Sequence, residues 1–394
     1  MADRTKIEWC DSTWNPWIGC TKISPACDFC YAAVSAPARA LGVEWGSGRS
    51  RRRTSASNWH LPLRWNAQPY VLCETHGWRG ERRELRFGCS CPHGGSDDSC
   101  VVSAARRRVF CASLADVFDN EVDPQWRSDL LDVIDATPNI DWLLLTKRIG
   151  NVTRMLTDLR DSEARSRSWS RLDAWITDRD PWPNVWIGAT ICNQAEADRD
   201  IPKLLETPAA MRFLSMEPLL GAVDVRRWMG EAVGGSTHRL SGENFDRCDL
   251  TGAPLEGIDW VIVGGESGAR ARPIHPDWAR NLRDQCAGAA VPFLFKQWGE
   301  WRTARDVGEA SSYPCLVSNR AKLPPGHPAR DTTVMSGCFH LPHQVQSTID
   351  GVGKHAHLDC AMFRAGKRAA GRFLDGVEHN GYPIGGMVRE VLTA

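Results

Sequence analysis

Trp142-Leu143-Leu144-Leu145-Thr146-Lys147-Arg148 is a short apolar run that stops abruptly on a hydroxyl and two cations. The stretch before it, residues 124–135, spaces Trp126, Leu130, Leu131 and Ile134 at helical intervals. The alternation recurs, with apolar runs at 109–112, 185–189, 212–214, 260–263 and 293–295 and helical patterns such as 276–287 between them. Such alternation predicts βα units around a parallel sheet. Residues 1–19 read as a lead-in and first strand, which brings the count to about seven. The expected fold class is therefore α/β, a full or partial (β/α) barrel.

Each apolar run ends in polar groups: Ser113 and Asp116; Thr146, Lys147 and Arg148; Thr190 and Asn193; Ser215 and Glu217; Glu266 and Ser267; Lys296 and Gln297. In a βα barrel all carboxyl ends of the strands open onto one face, where active sites are built. A lone polar strand end reflects only a solvated loop, but this succession predicts a site. Gly264 and Gly265, ahead of Glu266, either let a ligand approach the backbone or form a tight turn. They lack the spacing of a dinucleotide fingerprint.

A second signal lies at the end of the first strand, in Gly19-Cys20-Thr21-Lys22-Ile23-Ser24-Pro25-Ala26-Cys27-Asp28-Phe29-Cys30-Tyr31. Ser24-Pro25 predicts a helix start, with Cys27 and Cys30 one turn apart at the end where backbone N–H groups favour thiolates. Three thiolates can hold an iron–sulfur cluster and leave one iron open to a ligand. With Cys10 they can instead close a four-thiolate structural zinc site. Spacing leaves both readings open.

The chain has 394 residues, with 48 Lys+Arg against 48 Asp+Glu, so global charge points to neither nucleic acid nor membrane. No apolar stretch approaches a membrane span and the N-terminus lacks a signal-peptide core, which predicts a cytoplasmic protein. Its fifteen cysteines then point to metal rather than disulfides. The expected division is a barrel over 1–304 and a C-terminal extension over 305–394 packing on it. Within the extension, residues 366–376 read as a short basic helix ended by Gly376. A smaller insertion is expected at 226–257, with Cys248. A larger one at 45–105 carries Cys73, His76, Cys89, Cys91, His93 and Cys100, a subset of which would bind zinc unless these are unligated loop residues. Arginines 49, 51–53, 82, 83 and 106–108, with abundant tryptophan, suit phosphate contacts and base stacking if they are not simply a solvated face and core.

The cysteine loop, with Phe29 immediately before the third cysteine, resembles the cluster loop of the radical SAM superfamily, whose usual first gap is three residues where this chain has six. Residues 5–9, 14–16, the cysteine loop, 145–148, 263–268, 295–299 and 366–376 together resemble the three-Cys-motif proteins of phages and prophages, a radical-SAM-like family. The resemblance implies a barrel of the radical SAM type in which Cys20, Cys27 and Cys30 hold a [4Fe–4S] cluster. It also implies S-adenosylmethionine on the open iron and an external electron donor. The reaction implied is 5′-deoxyadenosyl radical chemistry on a small-molecule or nucleotide substrate, in a bacterial host's cytoplasm if the chain is phage-encoded. Phe29, Ser113, Asp116, Thr146, Lys147, Thr190, Glu217, Gly264, Gly265, Glu266 and Lys296 are the candidate cofactor-binding residues. Asp116, Glu217 and Glu266 compete for the role of the superfamily's Gly-Gly-Glu carboxylate. The alternative is a zinc-stabilised nucleic-acid or protein binding module without catalysis.

Overall fold

Every apolar run lies in a strand of one parallel sheet. The computed structural model describes residues 3–86, 91–93, 100–162, 167–229, 257–303, 333–334 and 361–383. Seven strands, β1 (Ser12–Trp14), β2 (Arg107–Cys111), β3 (Ile140–Thr146), β4 (Val185–Thr190), β5 (Met211–Met216), β6 (Trp260–Gly264) and β7 (Phe293–Gln297), are hydrogen-bonded side by side in chain order. The sheet curls into a half-barrel, with β1 and β7 unpaired to each other. The crossover helices are α1 (Pro124–Asp135), α2 (Val152–Asp161), α3 (Trp169–Thr177), α4 (Gln194–Glu206) and α5 (Pro276–Gly288). Side-chain caps start α1, α4 and α5: Asp123, Asn193 and His275 accept from the N–H groups of Gln125, Glu196 and Asp277. Among the described residues no helix is long and apolar enough to cross a membrane.

The strands are apolar on both faces, which explains why they read as continuous runs rather than alternating ones. Val109, Trp142, Leu144, Ile187, Leu214, Val261 and Phe295 pack outward with helix residues such as Leu130, Ile134, Leu156, Ile201 and Leu282. Phe110, Leu143, Trp186, Phe213, Trp260, Ile262 and Leu294 point inward and meet Trp9 and Cys10 from the lead-in. Rings of Phe213 and Trp260 lie 5.9 Å apart, and those of Trp186 and Trp260 6.2 Å apart. This aromatic plug fills the interior, and the polar strand ends stand clear of it. Gly188 on β4 makes room for it, since a Cβ there would lie 2.3 Å from the Phe213 ring.

The described part of the C-terminal extension covers the open edge. Phe295 N–H donates to His379 O, Gly381 N–H donates to Phe293 O, and Tyr382 packs on Trp260 with its hydroxyl donating to Glu8 O. The backbone groups of an edge strand are thereby satisfied. The basic helix expected at 366–376 is only one turn, Lys367–Ala370. Gly371 at φ +71° ends it, and Phe373–Leu374 then pairs with Val377–Glu378 across Asp375 and Gly376, both at positive φ. Asp-Gly at the centre of a two-residue hairpin favours this turn over a continued helix. Asp375 accepts from Arg280 and Arg283, which ties the hairpin to α5. Most of the expected 226–257 insertion, with Cys248, and Cys89 lie outside the described residues.

Gly188→Ala should destabilise the protein by about 1–3 kcal/mol through overpacking against Phe213, read as a lower urea midpoint. Adding Phe213→Leu in the same chain should restore part of the loss. An unchanged midpoint in the single variant would show that the ring has room to move.

Candidate functional site

At the carboxyl ends of the strands the half-barrel opens into one cavity. Its wall includes Cys20, Cys27, Phe29, Cys30 and Tyr31 from the cysteine loop, and Ser113, Asp116, Thr146, Lys147, Thr190, Ser215, Glu217, Gly265, Glu266, Lys296 and Gln297 from the strand ends. Of the candidate residues only Gly264 is missing from that wall. The structure thus gathers side chains spread over almost 280 positions of sequence, because a parallel sheet delivers every strand end to one side.

Ion pairs fasten the cysteine loop over this opening. Asp116 accepts from Thr146 Oγ1 (2.7 Å), Phe118 N–H (3.0 Å), Lys147 N–H (3.1 Å) and Arg148 Nη1 (3.0 Å). Arg148 in turn donates to Thr21 O at 2.7 Å and lies 3.4 Å from Cys20 Sγ. Buried Arg51 bonds Asp119 at 2.7 Å and Thr21 Oγ1 at 2.6 Å. Ser24 donates to Glu196, which also accepts from Cys192 N–H. On the far side Glu266 is held by Arg272, and Arg272 reaches Pro25 O and Asp28. Asp116 and Glu266 thus anchor the loop while lining the cavity. The helix expected after Ser24 is a single 3₁₀ turn, Pro25–Cys27, with Ser24 Oγ accepting from Ala26 N–H. Cys30 N–H still donates to Cys27 O, so the two cysteines do sit one turn apart.

Glu217 also faces the cavity. It pairs with Lys296 at 3.1 Å and accepts from Trp9 Nε1 at 3.3 Å. Burial works to lower the Lys296 pKa, but Glu217, Tyr31 and Glu8 together outweigh it and hold the ammonium above its ordinary value. Lys147 Nζ reaches Thr190 Oγ1 at 3.3 Å. Burial pushes the Cys20 thiol up to about 12, with Asp116 adding to the rise and Arg148 opposing it. Packing also calls for glycine at Gly264 and Gly265. A Cβ on the first would meet Glu217 at 2.5 Å, and on the second the Trp298 carbonyl at 1.9 Å.

Sulfur spacing separates two kinds of metal centre. Tetrahedral zinc with Zn–S near 2.3 Å keeps its sulfurs within about 4.6 Å of one another. Among the described residues one group lies within such reach: Cys73, His76, Cys91 and Cys100, whose ligand atoms all fall within 4.8 Å. His76 Nδ1 is 3.5 Å from Cys73 Sγ and 3.4 Å from each of the other two sulfurs. Cys73 ends the strand Tyr70–Cys73, and a turn through Gly77 at φ +65° brings His76 back beside it. This Cys₃His group can hold a metal ion, and His93 is not part of it. Cys20, Cys27 and Cys30 are not part of that group, and Cys10 is buried in the aromatic plug. Cys20, Cys27 and Cys30 share one cavity wall.

The arginines proposed for phosphate contact are largely engaged. Arg49 pairs with Glu44, Arg53 with Asp129, Arg83 and Arg107 with Glu81, Arg106 with Asp141 and Arg108 with Asp11. Arg51 is internal to the loop anchorage, a role its place in a basic run did not signal. The anchors Glu196 and Arg272 were missed altogether, since their partners lie 172 and 244 positions away.

Residues 4–383 match a family model described as "Protein of unknown function (DUF5131)". No curated protein and no solved structure matches the chain.

Cys91→Ser should abolish metal binding at the Cys₃His group, measured as loss of about one metal equivalent per chain. Unchanged metal content would move the site elsewhere. Arg51→Ala leaves buried Asp119 with only the longer 3.8 Å ion pair to Arg148 and should cost about 3 kcal/mol of stability in urea unfolding.

Proposed function

We propose that this chain, which belongs to the DUF5131 family, is a radical SAM-like enzyme of phage or prophage origin working in the cytoplasm. Cys20, Cys27 and Cys30 would hold a [4Fe–4S] cluster, with S-adenosylmethionine beside it. The observation that carries the reading is that three thiols of one loop share a cavity with six strand ends. When bound and reduced by an external donor, the two cofactors supply a 5′-deoxyadenosyl radical that abstracts hydrogen from substrate.

The chain's own residues do the rest. The plug of Trp9, Phe110, Phe213 and Trp260 closes the floor against water and oxygen. Glu217 and Lys296 offer an acceptor beside a donor, and Lys147 adds a cation on the wall. With Phe29, Tyr31 and Trp45 around the rim, these groups suit a small polar substrate with a flat face, such as a nucleotide or a nucleic-acid base. Zinc is the metal best suited to the Cys₃His group, where it would staple the strands Tyr70–Cys73 and Val102–Ala105. That staple also supports a second reading, a zinc-stabilised nucleic-acid or protein binding module without catalysis.

Anaerobic reconstitution with iron and sulfide should give about four irons per chain and broad visible absorbance. Both should be lost in Cys27→Ala, while the loaded wild type should form 5′-deoxyadenosine with reductant and S-adenosylmethionine. A colourless protein containing zinc alone would overturn the enzyme in favour of the binding module.

A further inference from the structure

We infer that Arg148 is a positioning residue that sets the reduction potential of the metal group held through Cys20. The inference rests on the cluster reading above and adds a residue that neither the sequence motif nor the family match assigns.

Three observations carry it. Arg148 Nη1 lies 3.4 Å from Cys20 Sγ, while Nη2 donates to Thr21 O at 2.7 Å, so one guanidinium grips both the thiol and the backbone next to it. The guanidinium is buried and held from behind by Asp116 at 3.0 Å, with Asp119 at 3.8 Å. Asp116 is itself fixed by Thr146 Oγ1 and the N–H groups of Phe118 and Lys147, so Arg148 cannot swing away without breaking a satisfied cluster. The other guanidiniums near the loop act differently. Arg270 and Arg272 stack over Phe29 at 4.6 and 4.9 Å, and Arg272 spends its hydrogen bonds on Pro25 O, Asp28 and Glu266. Cys20 is thus distinguished by a fixed cation at hydrogen-bond distance.

Reduction adds negative charge to a cluster and its sulfurs. A fixed cation donating to one sulfur in a poorly screened site stabilises the reduced state and raises the potential. Asp116 opposes this by partly neutralising Arg148. The two residues should therefore act with opposite sign.

The test is a redox titration, followed by electron paramagnetic resonance, of anaerobically reconstituted full-length protein. Arg148→Gln should keep iron, because all three thiols remain, and its midpoint should move to more negative potential. Arg148→Lys keeps the charge and the pair with Asp116 but cannot also reach Thr21 O and Cys20. It should give a smaller shift of the same sign, and it decides the matter if the glutamine variant does not fold. Asp116→Asn should move the midpoint the other way. Iron-loaded Arg148 variants with the wild-type midpoint would overturn the inference and leave the cluster reading intact. Wild-type protein that takes up no iron would sink the cluster reading, and this inference with it.

Discussion

The buried pair of Asp116 and Arg148 joins everything that matters at the mouth of this half-barrel. The carboxylate sits just beyond β2 and the guanidinium just beyond β3, and the guanidinium reaches across to Cys20 and Thr21 after β1. Three adjacent strand ends are thereby locked in register. Two charges removed from water are costly unless every lone pair and proton finds a partner. Here the carboxylate receives three further hydrogen bonds from Phe118, Thr146 and Lys147. Such a cluster contributes geometry more than net stability, and geometry is what a loop of three thiols requires.

Beneath that mouth the molecule is unusually aromatic. The inward face of the sheet is filled by Phe110, Trp186, Phe213 and Trp260, with Trp9 closing the side left open between β1 and β7. Gly188 is the concession that lets Phe213 occupy the axis. A half-barrel lacks the strand pairing that would complete its wall. In this chain the lead-in, Tyr382 and the backbone of residues 379–381 supply that wall instead. The floor of the cavity is consequently apolar and buried.

The cysteines divide into sets with different physical demands. The Cys₃His group brings its ligand atoms to within 4.8 Å, which suits one ion between short strands too small to be stable alone. The set at the mouth lines a cavity and carries a cation on one member. The sheet bearing the first set is fastened to the barrel by Arg79, which pairs with Asp11 just before β1. Thus one candidate metal group supports the end of the barrel opposite the other.

Much of this was legible in the chain. Short apolar runs ending in polar residues are the local signature of strands buried on both faces, so the seven strands and the residues at their carboxyl ends followed from periodicity alone. So did the placing of Cys20, Cys27 and Cys30 beside those ends. Local rules failed where long-range charge pairing decides. Arg51 reads as part of a basic run yet is buried against Asp119, and the ion pairs of Asp116 with Arg148 and of Glu266 with Arg272 are not readable from the local sequence. The tail misled for a different reason, because a basic stretch with helical spacing contains an Asp-Gly pair whose positive φ values turn it into a hairpin. The sequence by itself determined which residues stand at the mouth, since strand alternation is local. Only the tertiary structure decided which of them remain free to act, because a charge is spoken for only when its partner arrives from far along the chain.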